Sequence, residues 1–206
     1  MKRTVRKFYT LIEIMTVIVI AAILFGIGIP AFTTMIQGSN MTVAIRQLSA
    51  KIQAARAYAV TNRCRVAVLL VTTGVKEDYC CSAYRVCVVN SSNVFQEWIE
   101  DENWKTLPKG VLRESFTLSA GSPTTVTIDA ESIGGSASSA PPALIFKSDG
   151  QMDHATATIR LRQGRYVNSS PIYTERNDTG KIINHPIEIN RYSGKVAVKD
   201  ITETDS

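Results

Sequence analysis

An uncharged apolar run close to the amino terminus constrains this chain more than any other feature. Ile14 to Ile36 spans 23 positions without a charged side chain, and about 20 apolar residues in a helix cross the ~30 Å hydrocarbon core of a bilayer. A secretory signal peptide is the alternative, but its apolar region usually has about 7–15 residues and ends in a small-x-small cleavage site. Here the run ends in the sequence Gly-Ile-Pro-Ala at 28–31, a poor match to such a site. We therefore expect a retained membrane span.

One carboxylate stands at the start of this run. Glu13 is the only charged residue between Lys7 and Arg46. A carboxylate at membrane depth is costly unless it finds a partner, and such residues usually have a function. A positive group on a neighbouring copy of the same helix would supply that partner, so Glu13 is predicted to dock one subunit onto another. The alternative is a shallow position among the lipid headgroups, where Glu13 would have no role.

The charge of the chain is divided unevenly. Residues 1–63 carry a net charge of +7, and residues 64–206 carry −2. The basic head before the apolar run contains Lys2, Arg3, Arg6 and Lys7, and by the positive-inside rule it should remain cytoplasmic while the rest of the chain lies outside the cytoplasm. The overall charge of +5 is therefore no argument for nucleic-acid binding.

The helical pattern continues beyond the apolar run. An amphipathic segment is predicted over residues 38–63, because apolar residues recur there at steps of three and four, namely Met41, Ile45, Leu48, Ile52, Ala55 and Ala59. If Leu11 to Thr61 is one helix, its length is about 75 Å. Pro30 lacks a backbone donor, so we expect it to kink this helix.

A change of pattern after Asn62 predicts a β-rich domain over residues 64–206. Runs rich in β-branched and aromatic residues predict strands at 65–71, 84–89, 94–98, 110–118, 126–129, 144–146, 156–161, 187–189 and 195–198. Residues 163–186 are polar and contain Pro171 and Pro186, which predicts a long loop. The expected class is α+β, a long helix carrying an antiparallel β-sheet domain.

The amino-terminal residues resemble a known signature. The sequence Thr10-Leu-Ile-Glu13-Ile-Met15 resembles that of the type IV pilin-like proteins, in which a basic leader and a glycine precede Phe-Thr-Leu-Ile-Glu-Leu, and Pro30 coincides with the proline that kinks the helix in that family. The helix-to-strand junction, from Lys51 to Leu69, is similar to that of the GspH/FimT group, the H-type minor pseudopilins of type II secretion and related fimbrial minor pilins.

This resemblance implies a non-enzymatic structural subunit without a cofactor. It implies a leader at residues 1–8, cleavage by a prepilin peptidase between Phe8 and Tyr9, N-methylation of Tyr9, and an assembly helix at residues 9–37. The family's glycine before the cut is here Phe8. The implied location is the bacterial inner membrane, crossed once, with a periplasmic or extracellular head. The implied partners are other pilin or pseudopilin subunits, the inner-membrane assembly platform and the lipid bilayer.

Four cysteines follow the helix. Cys64, Cys80, Cys81 and Cys87 would lie outside the cytoplasm, where disulfides persist. Adjacent cysteines rarely bond to each other, so we favour bonds from Cys80 and Cys81 to Cys64 and Cys87, although free thiols remain an alternative. The paired C-x₂-C spacing of a metal site is absent, and no metal is expected.

Charged groups in the β domain suggest weaker alternatives. Arg160, Arg162 and Arg165 lie in a basic carboxyl-terminal region with interspersed tyrosines, and some minor pilins of the resembled group bind DNA in natural transformation, so a DNA-binding surface is the alternative function. An acidic cluster at Glu97, Glu100, Asp101 and Glu102 lacks the glycine of a calcium loop, and a solvated face is the simpler interpretation. His154 and His185 have no nucleophile motif nearby.

Overall fold

The computed structural model describes residues 10–73, 75–100, 103–128, 140–174 and 181–204, and it describes no side chains at 27–38 or 202–204. The chain divides into two compact units, Met1–Ser39 and Asn40–Ser206. One helix, α1, extends over Leu11–Thr61. Within the part of the chain whose side chains are described, no helix has an apolar stretch long enough to cross a membrane. The predicted span extends into residues 27–38 and so lies partly outside the described side chains.

The strands form two antiparallel sheets. The first has the order β3-β2-β1-β6 with β4 also paired to β2, and the second has the order β10-β9-β7-β5 with β8 paired to β7 and β11 to β9. The strands are β1 Arg65–Leu70, β2 Ala83–Val89, β3 Phe95–Trp98, β4 Lys105–Thr106, β5 Val111–Leu118, β6 Ala143–Phe146, β7 Ala157–Val167, β8 Ser170–Tyr173, β9 Ile182–Ile189, β10 Val196–Val198 and β11 Thr202–Thr204. The predicted α+β class with antiparallel strands is confirmed.

The core lies between the carboxyl-terminal part of α1 and both sheets. Five of the six residues in the predicted helical stripe are buried, and Ala44 joins them while Ile45 is only half-buried. They pack against inward-facing residues of β1, β2, β6, β7 and β9, among them Phe146 and Ile159. Complete burial of a side chain such as Leu48 contributes about 1.5–3 kcal/mol, so this stripe fastens the helix to the sheets.

The first sheet is buried on both faces. Ala67, Leu69 and Ile145 belong to a second apolar cluster on the face away from α1, where Phe95, Trp98 and Trp104 cover them. Burial on both faces explains why β1 is a continuous apolar run and not an alternating one.

The prediction of a long loop at 163–186 is wrong, because three strands occupy much of it. β7 continues to Val167 and turns through Asn168 and Ser169 into β8. Both turn residues have positive φ, 50° and 65°, as a two-residue type I′ hairpin requires. Residues 175–180 of the predicted loop lie outside the described residues.

The two prolines of this region sit where their missing N–H groups cost no ladder bond. Pro171 faces Tyr166 across the β7–β8 hairpin, next to the Val167–Ser170 pair that closes the turn. In a two-residue hairpin the closing pair is hydrogen-bonded and the next pair is not. Pro186 lies in β9, and its carbonyl accepts a hydrogen bond from the Lys199 N–H at 3.0 Å. The backbone of Pro186 therefore faces the gap between β10 and β11.

The predicted strand at 126–129 is also wrong for its described part. Thr125 makes only an isolated bridge to Pro142, and Val126 and Ile128 instead cover the outer cluster of the first sheet. Ile128 also makes an isolated bridge, and the Val126 N–H donates to the Pro141 carbonyl at 3.2 Å, so this segment bonds to a neighbouring stretch without forming a continuous strand.

Candidate functional site

The first turn of α1 holds the predicted docking residue in a capping box. The Glu13 N–H donates to the Thr10 hydroxyl at 3.3 Å, and the Glu13 carboxylate accepts from the Thr10 N–H at 3.5 Å. This reciprocal pair is the S/T-x-x-E arrangement that satisfies two otherwise unpaired donors at a helix start. Glu13 therefore also has a local structural role at the start of the helix. Phe8 and Tyr9 lie outside the described residues.

The helical segment that follows exposes apolar side chains around its whole circumference. Relative exposure ranges from 47% at Ile14 to 79% at Leu11, and the exposed set comprises Leu11, Ile12, Ile14, Met15, Val17, Ile18, Val19, Ile20, Ile23, Leu24 and Phe25. A helix that is apolar on all sides is stable only inside an apolar environment. Within the described side chains, Glu13 is the one charged group of this segment. Pro30 lies within α1, but its side chain is outside the described part and the kink stays a prediction.

All four cysteines are free thiols, so the favoured disulfide pairing is wrong. Cys81 pairs with Thr72 beyond the end of β1, whereas Cys64 precedes the start of β1. Cys87 lies inside β2, whereas Cys81 lies in the turn before this strand begins at Ala83, and the stretch from Ala83 to Cys87 alone spans about 13 Å. A disulfide requires Cα atoms within about 7 Å, so strand geometry keeps these partners apart.

The surroundings of Cys64, Cys81 and Cys87 favour the protonated thiol. The Cys80 and Cys81 thiols donate to the Val75 and Thr72 carbonyls at 3.4 and 3.5 Å. Burial raises the pKa of the Cys87 thiol to about 12, although the Arg85 charge opposes this. Burial also raises the pKa of Cys81 and that of Cys64. Thiolate is the reactive form, and raised pKa values suppress it.

The three arginines of the predicted DNA-binding surface do not lie on one face of β7, and DNA binding stays a prediction. Arg162 is only 5% exposed; its guanidinium bonds the Glu114 carboxylate at 2.6 Å and lies 4.3 Å from the centroid of the Tyr173 ring. Successive side chains of a strand point to opposite faces, so Arg165 faces away from the side that holds the other two.

A second buried arginine was not anticipated from the sequence. Arg113 is 7% exposed, and its guanidinium donates to the Val71 carbonyl at 2.7 Å. Burial lowers its pKa. Arg113 follows two buried residues in β5, and a bulge between Arg113 and Ser115 shifts the register. Strand alternation places Arg113 on the same face as the core residue Val111. The bulge changes the alternation after Arg113, so that Phe116 also faces the core, and a single sequence carries no signal of it.

A polar cluster closes one end of the first sheet. Asp153 forms ion pairs with Arg65 and with Lys147, the latter at 3.4 Å, and accepts a hydrogen bond from the Asn93 amide at 3.3 Å. Burial alone would raise the pKa of Asp153, but the hydrogen bond and charge of Arg65, with the bonds from Asn93 and Lys147, hold it below its ordinary value. The neighbouring His154 has a pKa lowered mainly by burial. Asp153 thereby joins three segments that are distant in sequence.

Two glycine turns pack against α1 around Arg56. The Arg56 Nε–H donates to the Gly150 carbonyl at 3.0 Å. A Cβ added at Gly194 would lie 2.6 Å from the Arg56 Cδ and would collide with the Gly150 carbonyl oxygen. Both glycines have positive φ, and the turns that contain them form a contact surface for the helix.

The acidic cluster and the histidines show no metal arrangement. Within the described residues, no three His, Cys, Asp or Glu side chains are grouped so as to hold a metal ion. Glu97 and Glu100 are exposed, Asp101 and Glu102 lie outside the described residues, and His185 lies in β9.

Comparisons with known proteins place the chain in a family. Residues 44–173, well over half of the chain, match the family model described as GspH, Type II transport protein GspH. No curated protein sequence matches. Among solved structures, the minor pseudopilin EpsH of the Vibrio cholerae type II secretion system has a TM-score of 0.47 at 14% identity, covering 81% of this chain and 98% of that one. The type IV minor pilin FimU of Pseudomonas aeruginosa has a TM-score of 0.45 at 13% identity, covering 77% and 87%. On the strength of the family model, this chain is a member of the GspH family of pilin-like type II transport proteins.

Proposed function

We propose that this chain is a minor pilin or pseudopilin, anchored in the bacterial inner membrane and assembled through its amino-terminal helix into a type II secretion pseudopilus or a type IV pilus. The single observation that carries the proposal is the segment from Leu11 to Phe25, whose apolar side chains are exposed on every side of α1. Such a surface needs lipid before assembly and neighbouring helices afterwards. The GspH family match to the head agrees with this role.

Glu13 is the proposed docking group. In an apolar filament core a carboxylate is stable only when it is paired, and removal of one member of a buried pair leaves the other charge uncompensated. The proposed partner is the terminal amine of a neighbouring subunit, created by cleavage between Phe8 and Tyr9 and then methylated. On exposure of this amine the carboxylate exchanges its local bond to the Thr10 N–H for an intersubunit ion pair.

Three variants separate docking from helix capping. Glu13→Gln keeps a side-chain acceptor for the capping box but removes the charge, Glu13→Ala removes both, and Thr10→Ala removes the hydroxyl cap but keeps the charge. We expect incorporation into filaments to fall roughly tenfold or more in both Glu13 variants, since a loss of about 1.4 kcal/mol is a factor of ten. Thr10→Ala should incorporate nearly as well as the unaltered chain. Normal incorporation of Glu13→Gln, with normal membrane insertion, would refute the docking role.

The leader is tested independently by intact mass. Protein taken from membranes should lack residues 1–8 and carry one additional methyl group, with Tyr9 as the new terminus. Retention of Met1–Phe8 in assembled filaments would exclude the Tyr9 amine as the docking partner.

A further inference from the structure

The last residues of β7 have an unpaired strand edge beside a surface groove. β5 is the neighbour of β7 on this side, and its pairing ends where the Gly164 N–H donates to the Gly110 carbonyl at 2.9 Å. β7 nevertheless continues to Val167, paired only with β8 on its other side. A groove of about 690 Å³ lies along the open side, lined by residues of the 77–82 and 106–112 segments and by the end of β7.

The hydrogen-bonding direction along this edge follows from strand alternation. The backbone groups of Gln163 face β8, because its carbonyl accepts from the Thr174 N–H at 3.0 Å, whereas those of Gly164 face Gly110. Alternate residues of a strand direct their N–H and C=O groups to the same side, so Tyr166 and Asn168 also face the groove. The Asn168 N–H is occupied by the Glu77 carboxylate at 3.1 Å. Within the described chain, no strand lies beside Tyr166 on this side.

The groove is bipolar along the strand direction. Glu77 and Asp78 lie at the Asn168 end, and Lys109 lies beside Gly110 at the Gly164 end with Arg165 close by. The two ends are four residues apart along the chain, or about 13 Å. The lining of the groove also includes the apolar residues Leu107, Pro108 and Val111. The backbone N–H and C=O of Tyr166 face the middle of the groove, and charges of opposite sign lie at its two ends. This arrangement suits an extended polypeptide and not a compact ligand.

We propose that this groove is a strand-addition site for an extended segment of a partner polypeptide. The occupant is about five residues long, with a cationic side chain beside Glu77 and Asp78 and an anionic one beside Lys109. Its central residue exchanges backbone hydrogen bonds with the N–H and C=O of Tyr166, as in β-augmentation. Exposed strand edges recruit further strands in this way. The inference goes beyond the proposed function and does not depend on filament assembly.

The test uses the full chain in detergent micelles and a synthetic peptide as the probe. Before addition of peptide, the Tyr166 amide should exchange with solvent faster than the amides of Gly164 and Asn168, which have partners. Titration with acetyl-Lys-Thr-Val-Thr-Glu-amide should shift the Tyr166 amide resonance. The same peptide with an N-methyl group on valine, and the neutral acetyl-Gln-Thr-Val-Thr-Gln-amide, should bind at least about tenfold more weakly.

A protein variant and its control complete the test. Asp78→Asn removes one groove charge without touching the Glu77–Asn168 bond and should weaken peptide binding severalfold, whereas Glu100→Gln, at an exposed acid outside the groove, should leave it unchanged. The proposal is overturned if the Tyr166 amide is already protected in the free protein, if the Lys–Glu peptide does not shift it, or if the N-methylated peptide binds equally well.

Discussion

Individual charged residues in the head act as fasteners between segments that are distant in sequence. Asp153 gathers Arg65, Asn93 and Lys147, and Arg113 reaches across to the Val71 carbonyl. Buried or half-buried charges are tolerated only when their partners satisfy them. These residues therefore stabilise the packing of the segments around them. Their substitution should lower the free energy of unfolding of the head more than it lowers assembly.

Substitution of Asp153 should produce a stability loss that depends on pH. The pKa of Asp153 is lowered in the folded state, so its contribution is complete above the unfolded value of about 3.9 and disappears as pH falls through the folded pKa. We expect Asp153→Asn to lower the free energy of unfolding by about 1–2 kcal/mol at pH 7, with a smaller difference at pH 3, measured by urea titration. Asp149→Asn, at an exposed turn, is the matched control. An equal loss at both pH values would contradict this account.

Gly194 should tolerate alanine poorly because two separate costs coincide there. The residue has φ of 60°, and an added Cβ would meet Arg56 and the Gly150 carbonyl. We expect Gly194→Ala to destabilise the head by about 2–3 kcal/mol. Gly121→Ala is the control, since Gly121 has φ of 82° but no atom within 4 Å of the added Cβ, and it should cost about 1 kcal/mol. Equal losses in the two variants, by thermal or urea unfolding, would show that the clash is relieved at no cost.

At the level of elements, the β7–β8 hairpin decides how far the second sheet extends. The Asn168–Ser169 turn takes positive φ at both positions without a glycine, and Gly164 admits the Ile172 carbonyl, which an added Cβ would approach to 2.6 Å. The hairpin therefore depends on the close approach of the two strands at Gly164 and on a turn whose sequence, Asn-Ser, is not the common Asn-Gly. That is why polarity and prolines predicted a loop where a strand pair forms.

The turn can be improved with a single glycine. Ser169 has φ of 65°, which glycine adopts without steric cost. We expect Ser169→Gly to raise the free energy of unfolding by about 0.5 kcal/mol, and Ser169→Ala to give no gain because it retains the Cβ. A destabilising Ser169→Gly, measured by urea unfolding, would argue against the type I′ geometry.

At the level of the whole molecule, the apolar helical segment and the head differ in how their apolar side chains are placed. The head has a buried core that includes the carboxyl-terminal part of α1, whereas the segment from Leu11 to Phe25 exposes its apolar side chains. The two compact units divide at Ser39. Stability of the head and the proposed retention in a membrane should therefore respond to different substitutions.

A charge in the exposed apolar segment tests that separation. Ile18→Asp should add about 2.5–3.5 kcal/mol to the cost of membrane insertion and so reduce the fraction retained in membranes after carbonate extraction. The thermal unfolding midpoint of the head should not change, because Ile18 is exposed in the segment outside the head. Ile18→Leu is the control. Unfolding of the head in the Ile18→Asp variant would show that the two units depend on each other.

Short-range patterns were enough to predict the helix, the class and most strands. The stripe from Met41 to Ala59 and the apolar run of β1 are visible as spacing and residue type. The periodicity of a helix or a strand then determines which of these residues share a buried face. The family resemblance at Thr10 to Met15 rests on the same kind of contiguous signal, and the GspH match at residues 44–173 supports the group that it indicated.

The sequence by itself therefore determined the helix, most of the strands and the one carboxylate within an apolar helix, because those depend on neighbours along the chain. Only the tertiary structure decided which charges are buried, that strand length keeps the cysteines apart, and that Tyr166 faces an open groove. Those features depend on register, on the bulge at Glu114 and on the handedness of two-residue turns. Such quantities are set when segments distant in sequence pack together, and shifting a strand by one residue reverses every side chain on it.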